Sequence, residues 1–138
     1  PAPADAIETQ VCKLVEMLGM ADSVLISSFE HFFFARIQRW YREQKKLTAL
    51  RMAPLQEAPI DDEIAVALCQ RQKAYSYHPD ESLVTRSLIQ MLKADGYQIF
   101  PYTINDEKRM EQLIRWGVSG IISDEPERLV KVIRRLQR

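Results

Sequence analysis

The stretch Gly117-Val118-Ser119-Gly120-Ile121-Ile122-Ser123-Asp124-Glu125-Pro126 holds the end of one helix, a short apolar run and the start of another helix. Gly117 follows a helical stripe of Met110, Leu113 and Ile114, where a left-handed C′ residue belongs. Gly120–Ser123 reads as a strand. Pro126 suits the first turn of a helix because its missing N–H has no partner there anyway, and Leu129, Ile133 and Leu136 then form a buried stripe.

The same rhythm repeats upstream in units of about 22–27 residues, the mark of a parallel α/β fold. Gln98–Ile104 is a strand, followed by a helix capped by Asn105 or Asp106. Ala74–His78 is a strand stopped by Pro79, with Val84, Leu88, Met91 and Leu92 on the helix after it and Gly96 closing that helix. Leu47–Met52 is a strand, Pro54 to Pro59 a loop, and Asp61 the N-cap of a helix carrying Ile64, Leu68 and Cys69. Val24–Phe29 is a strand, and the helix from about His31 to Lys45 puts Phe33, Ile37, Trp40 and Tyr41 on one stripe. At the front, Asp5 and Glu8 form a capping box before Ile7, Val11, Leu14, Val15 and Leu18, and Gly19 closes this helix. Five strand–helix units predict a parallel sheet, either part of a barrel or a five-stranded doubly wound sheet.

The 138 residues make one domain, 1–138, with 46% hydrophobic and 28% charged residues, the balance of an ordinary globular chain. Nineteen Lys and Arg against nineteen Asp and Glu leave no net field to attract nucleic acid. The basic end, with Lys131, Arg134, Arg135 and Arg138, reads as the solvated face and last turn of a helix. Cys12 and Cys69 fall in apolar segments as reduced core residues, which favours the cytoplasm. No apolar run approaches the ~20 residues of a membrane span, and no signal peptide is expected in a chain that begins mid-protein.

Parallel α/β folds place their working groups at the C-terminal ends of the strands. Here that selects Ser28, Phe29, Met52, Tyr77, His78, Tyr102 to Asn105, Ser123 and Asp124. The set has one histidine and no clustered acids for a divalent metal.

At these ends the chain resembles the glycerophosphodiester phosphodiesterase family. Val24-Leu25-Ile26-Ser27-Ser28-Phe29-Glu30-His31 is similar to the family strand that ends in Ser-Phe and an acid. Pro101-Tyr102-Thr103-Ile104-Asn105-Asp106 resembles its Trp-Thr-Val-Asn segment, with Tyr102 in the tryptophan position. Gly117 to Pro126 looks like its closing Gly-Val-Asp-Gly-Ile-Ile-Thr-Asp-x-Pro, with Ser119 and Ser123 as departures, and Tyr77-His78-Pro79 lies at an apolar-Asn-Pro turn. The four blocks share the family's order and spacing from about Ala6 to the end of the chain.

The resemblance implies a TIM barrel that hydrolyses glycerophosphodiesters to glycerol 3-phosphate and an alcohol. It implies two histidines as acid and base, and a Mg²⁺ or Ca²⁺ held by glutamates and an aspartate. Those groups belong to His-Arg-Gly, Glu-x-Asp, His-Asp and Glu-x-Lys strands that precede the Ser-Phe strand, so Pro1 would stand just after the last of them. On this reading the chain carries no catalytic and no metal-binding residue of its own. Its substrate-binding candidates are Phe29 (pocket wall or core), Tyr102 (pocket lining), Asn105 (glycerol contact or helix cap) and His78. His31 and Asp124 read as structural, and Asp80 as a cap. Four missing family strands plus five exceed the eight of a barrel, so one segment, with Leu47–Met52 and Ala74–His78 the first candidates, is expected not to be a stave. A half-barrel with open edges, and with the Phe32-Phe33-Phe34 run as part of an interface, could also associate with itself or with a partner.

Overall fold

The computed structural model describes residues 6–46 and 50–138. The elements run in order α1 (Ile7–Met17), β1 (Leu25–Ser28), α2 (Phe32–Glu43), β2 (Arg51–Gln56), α3 (Asp62–Gln72), β3 (Ser76–Pro79), a 3₁₀ turn (Glu81–Leu83), α4 (Arg86–Ala94), β4 (Gln98–Ile99), α5 (Glu107–Trp116) and α6 (Pro126–Leu136). Asp5, and with it the expected capping box, lies outside the described residues, as do positions 47–49 of the second predicted strand. Glu8 is buried and pairs with Arg36 across the α1–α2 contact, Nη1 to Oε1 at 2.9 Å.

The four strands are parallel and stand side by side in chain order, β1-β2-β3-β4. Register shows which way their side chains point. Leu55 stands beside His78, so Met52 and Tyr77 share the opposite face. Met52 enters a cluster with Cys12 and Val15 of α1 and Phe34, Ile37 and Tyr41 of α2. Tyr77 and its neighbour Ile99 enter a second cluster with Cys69 of α3, Leu88 and Leu92 of α4, Met110 and Leu113 of α5, and Val132 of α6. Both clusters therefore cover the same face of the sheet. A doubly wound sheet reverses strand order at a switch point and is covered on both faces. This one does neither, so the alternative falls: the sheet is an open part of a TIM barrel, with Ser76 and His78 on the lumen side.

The staves differ from expectation in detail. Leu47–Met52 and Ala74–His78, the suspected non-staves, both correspond to strands, displaced a few residues downstream and including Pro54 and Pro79. The segment without regular strand geometry is Gly120–Ser123. It still lies along the β4 side of the sheet: Ser119 N–H donates to Ile99 O, Ile122 N–H to Pro101 O and Ile104 N–H to Ile122 O, each at 2.9 to 3.0 Å. Gly120 is required there, because a Cβ would stand 2.7 Å from two carbons of the Phe100 ring.

The helix signals hold in part: Asp61 stands at the N-cap of α3 but makes no side-chain cap bond, and Thr85 is a cap the sequence reading did not name. Thr85 Oγ1 accepts from Leu88 N–H and Asp106 Oδ2 from Arg109 N–H, caps worth about 1 kcal/mol each. Gly117 is left-handed, φ 91°, as a C′ residue should be. The stripes are less faithful. Phe34 replaces Phe33 in the core, Val132 rather than Ile133 is the buried centre of α6, and Ile64 is exposed while Ala65 and Val66 are buried. On α1 the expected stripe splits: Val15 is buried and Val11 packs half-buried against the same cluster, but Ile7, Leu14 and Leu18 turn outward. Ile7, Leu14, Met17 and Leu18 are each more than half exposed, while Glu8, Thr9, Cys12 and Val15 face the sheet.

Candidate functional site

The C-terminal ends of the staves converge on one rim. Phe29, immediately after β1, meets Tyr102, just beyond β4, edge to face with ring centroids 6.1 Å apart and planes at 83°. The contact spans the mouth, because β2 and β3 lie between their parent strands. Phe29 is half exposed, so the reading of it as a core residue is corrected: it is a rim aromatic.

Tyr102 is fixed from three sides. Its N–H donates to Pro79 O (3.0 Å), its carbonyl accepts from Glu81 N–H (2.7 Å) and its hydroxyl donates to Gln56 O (3.1 Å). Burial, with the carboxylates of Asp80 and Glu57 nearby, raises the phenol above its ordinary range, so it remains a protonated donor at neutral pH.

His78 sits one layer below, beside Phe100, whose ring meets it edge-on at 5.5 Å. Its Nε2 is 3.0 Å from Ser76 Oγ, and its Nδ1 is buried with no hydrogen-bond partner among the described residues. Burial alone pulls its pKa down to about 4, which leaves the ring neutral at pH 7. A neutral imidazole in this lower layer lines the lumen, beneath the level of the aromatic pair.

Asn105 does not cap α5; Asp106 does. Its side chain instead ties two strand ends together. Nδ2 donates to Asp124 Oδ2, and Oδ1 accepts from Ser123 Oγ–H and Asp124 N–H, all at 3.0 Å. Arg128 Nη1 donates to its carbonyl at 2.8 Å. The two departures from the family pattern both have partners: Ser123 in this clamp, and Ser119, whose Oγ accepts from Ile99 N–H at 3.0 Å.

Three residues of the strand-end list leave the rim. Met52, Tyr77 and Ile104 are buried in the clusters against the helices, Met52 and Tyr77 as the second residues of β2 and β3. What the sequence reading missed is Gln56, the true end of β2, because Pro54 was read as loop. His31 is structural as expected: it stacks on Phe34 at 6.0 Å and its Nε2 lies 2.8 Å from Leu55 O. Asp80 is the cap of the 3₁₀ turn, accepting from Ser82 N–H. Among the described residues, no three of His, Cys, Asp and Glu come together as metal ligands, so these side chains do not fit a Mg²⁺ or Ca²⁺ site of their own.

Residues 4–128 match the model of the glycerophosphoryl diester phosphodiesterase family. The chain belongs to this family. It is 32% identical to a glycerophosphodiester phosphodiesterase of Caldanaerobacter subterraneus subsp. tengcongensis over 94% of its own length and 50% of that protein. A Silicibacter pomeroyi structure assigned to the same family superposes with a TM-score of 0.82 at 18% identity, over 95% of this chain and 44% of the other. An Oleispira antarctica phosphodiesterase, solved with its product sn-glycerol-3-phosphate, superposes with a TM-score of 0.73 at 22% identity, over 92% and 50%. The chain thus spans about half the length of the family members it matches. Among the described residues, no helix is long and apolar enough to cross a membrane.

Proposed function

We propose that this chain forms the C-terminal half of a barrel that hydrolyses glycerophosphodiesters, releasing glycerol 3-phosphate and an alcohol. Water oxygen bonds to phosphorus, the bond from phosphorus to the alcohol oxygen breaks, and the departing oxygen takes a proton. The observation that carries this reading is the Phe29–Tyr102 pair across the strand-end mouth of a chain belonging to this family. An aromatic wall, with the Tyr102 hydroxyl bonded to the Gln56 carbonyl beside it, suits the apolar edge and polar end of a glycerol ester. His78 is a lining residue, which its neutral state supports. Asn105 acts at one remove, by holding the loop after β4.

The acid, the base and a Mg²⁺ or Ca²⁺ would come from staves continuing the sheet beyond β1. The buried, unpaired thiols Cys12 and Cys69 support a reducing, cytoplasmic setting.

The test is release of glycerol 3-phosphate from glycerophosphoethanolamine, with Mg²⁺ or Ca²⁺ and with a chelator. The expected result is no turnover by the 138 residues and chelator-sensitive turnover by a chain extended upstream. Chelator-sensitive turnover by the 138 residues alone would overturn the assignment of catalysis to other staves.

A further inference from the structure

We infer that Arg109 of α5 is the positioning residue that sets Tyr102 in place at the mouth, acting through the 3₁₀ turn after β3. The inference rests on the reading of Tyr102 as part of the substrate wall and goes beyond it to what holds that wall.

The backbone of Arg109 is fixed by the cap of its own helix, where its N–H donates to Asp106 Oδ2 at 2.8 Å. Its side chain is only 23% exposed, yet its carboxylate contact, Glu81 Oε2, is 4.0 Å away. An ion pair that long adds little. Other groups hold the guanidinium. Nη2 donates to Glu81 O at 2.9 Å and reaches Val84 O at 3.4 Å, Nη1 donates to Gln112 Oε1, and the central carbon lies over the Trp116 ring, 5.3 Å from its centroid. A charged planar donor that gathers the Glu81 and Val84 carbonyls fixes where the turn between them sits.

Tyr102 depends on that turn at both of its ends. Glu81 N–H donates to Tyr102 O at 2.7 Å. The preceding N–H, of Asp80, donates to Gln56 O at 2.7 Å, and the Tyr102 hydroxyl donates to the same carbonyl at 3.1 Å. Moving the turn therefore disturbs the bond to the Tyr102 carbonyl and the acceptor of its phenol together. All these groups lie between β1 and the segment 119–122, inside the sheet and away from its edges. None of the Arg109 contacts reaches Phe29 or the Tyr102 ring, so an effect on substrate passes through the turn.

The test is a double-mutant cycle in the chain extended upstream, with glycerophosphoethanolamine as substrate, joined to fluorotyrosine labelling read by fluorine NMR. The Tyr102 signal is the one that Tyr102→Phe removes. Arg109→Met should shift or broaden that signal and raise KM about three- to tenfold, the equivalent of one weakened hydrogen bond, with a smaller fall in kcat. Loss of folded protein alone would lower kcat and leave KM unchanged. Arg109→Lys, which keeps a charged donor for the Glu81 carbonyl, should recover most of the wild-type KM. In a Tyr102→Ala background, Arg109→Met should raise KM no further. Where Arg109→Met does not fold, Arg109→Gln is read in the same way. An unchanged Tyr102 signal, an unchanged KM in a chain where Tyr102→Ala raises it, or equal effects with and without the Tyr102 ring would overturn the inference. If Tyr102→Ala itself leaves KM unchanged, the substrate-wall reading fails, and the Tyr102 signal alone decides whether Arg109 positions that residue.

Discussion

Phe29 follows the first strand of the sheet and Tyr102 lies beyond the last, yet their rings meet edge to face across the mouth, 6.1 Å between centroids. Tyr102 contributes more than its ring, because its hydroxyl closes onto the Gln56 carbonyl at the end of β2. Tyr102→Phe keeps the aromatic contact and removes that bond. It should lower stability by about 1 kcal/mol in urea denaturation. Phe29→Ala, at a half-exposed position, should cost less in stability and, in a catalytically complete chain, raise KM more than it lowers kcat. An unchanged KM would remove Phe29 from the substrate wall.

The buried imidazole of His78 gives the fold a pH dependence of defined sign. Its folded pKa, about 4, lies below the ordinary value near 6.5, so between those values the unfolded chain binds more protons than the native one. Stability should therefore be full above pH 6.5 and fall as pH drops towards 4, with a slope of at most about 1.4 kcal/mol per pH unit from this residue. Glu16 and Glu111, held below the usual carboxylate range by hydrogen bonds from Lys46 and Arg115, also favour the native state and lose that effect on acidification, in the carboxylate range. His78→Asn should flatten the profile between pH 6.5 and 5 and leave the more acidic limb. A profile unchanged by the substitution would mean that the ring takes up its proton as readily in the native chain as in the unfolded one.

Gly120 and Phe100 leave no room for each other's growth. Gly120→Ala forces a methyl group to 2.7 Å from the ring and should destabilise by about 1–3 kcal/mol, read from the urea midpoint. Wild-type stability in this variant would show that segment 119–122 can move away from the lumen.

Cys12 and Cys69 are fully buried, and burial raises their thiols to about 11 and about 12. Native protein should resist alkylation at pH 8, and both thiols should react once the chain is unfolded in guanidinium. Rapid labelling of Cys12 alone would point to opening of the α1–α2 layer.

Asn105→Ala removes one donor and one doubly used acceptor from the clamp on Ser123 and Asp124. A loss of about 1–3 kcal/mol is expected in thermal or urea unfolding. Asn105→Asp should be worse still, because it sets a second carboxylate against Asp124. Little change in either variant would shift the loop's support to Arg128.

Much of this architecture was legible because its punctuation is local. Gly19, Gly96 and Gly117 all take positive φ where helices end, and Asp106 caps as its position suggests. What was not legible is non-local. The pattern on α1 marks two apolar flanks but cannot say which one meets this sheet. Pro54 disguised β2 because a proline usually ends a strand, yet here Ala53 and Pro54 stand in register with Ser27 and Ser28. Asn105 was read as following a strand over Gln98–Ile104, but β4 stops at Ile99, and the partners of its side chain lie 18 and 19 residues further on, in a loop with no periodic signature.

The two apolar clusters set a further property of the molecule. One gathers α1, α2 and β2; the other gathers α3 to α6 with β3 and β4, and β2 and β3 meet along the boundary, where Leu55 stands beside His78 and Gln56 beside Pro79. Opening should follow that boundary, so amide exchange is expected in two waves, with α1 and α2 ahead of the rest. Phe29 stands on one side of this line and Tyr102 on the other. A molecule held against both rings would act as a brace between the two cooperative units, and its occupancy should merge the two exchange waves into one.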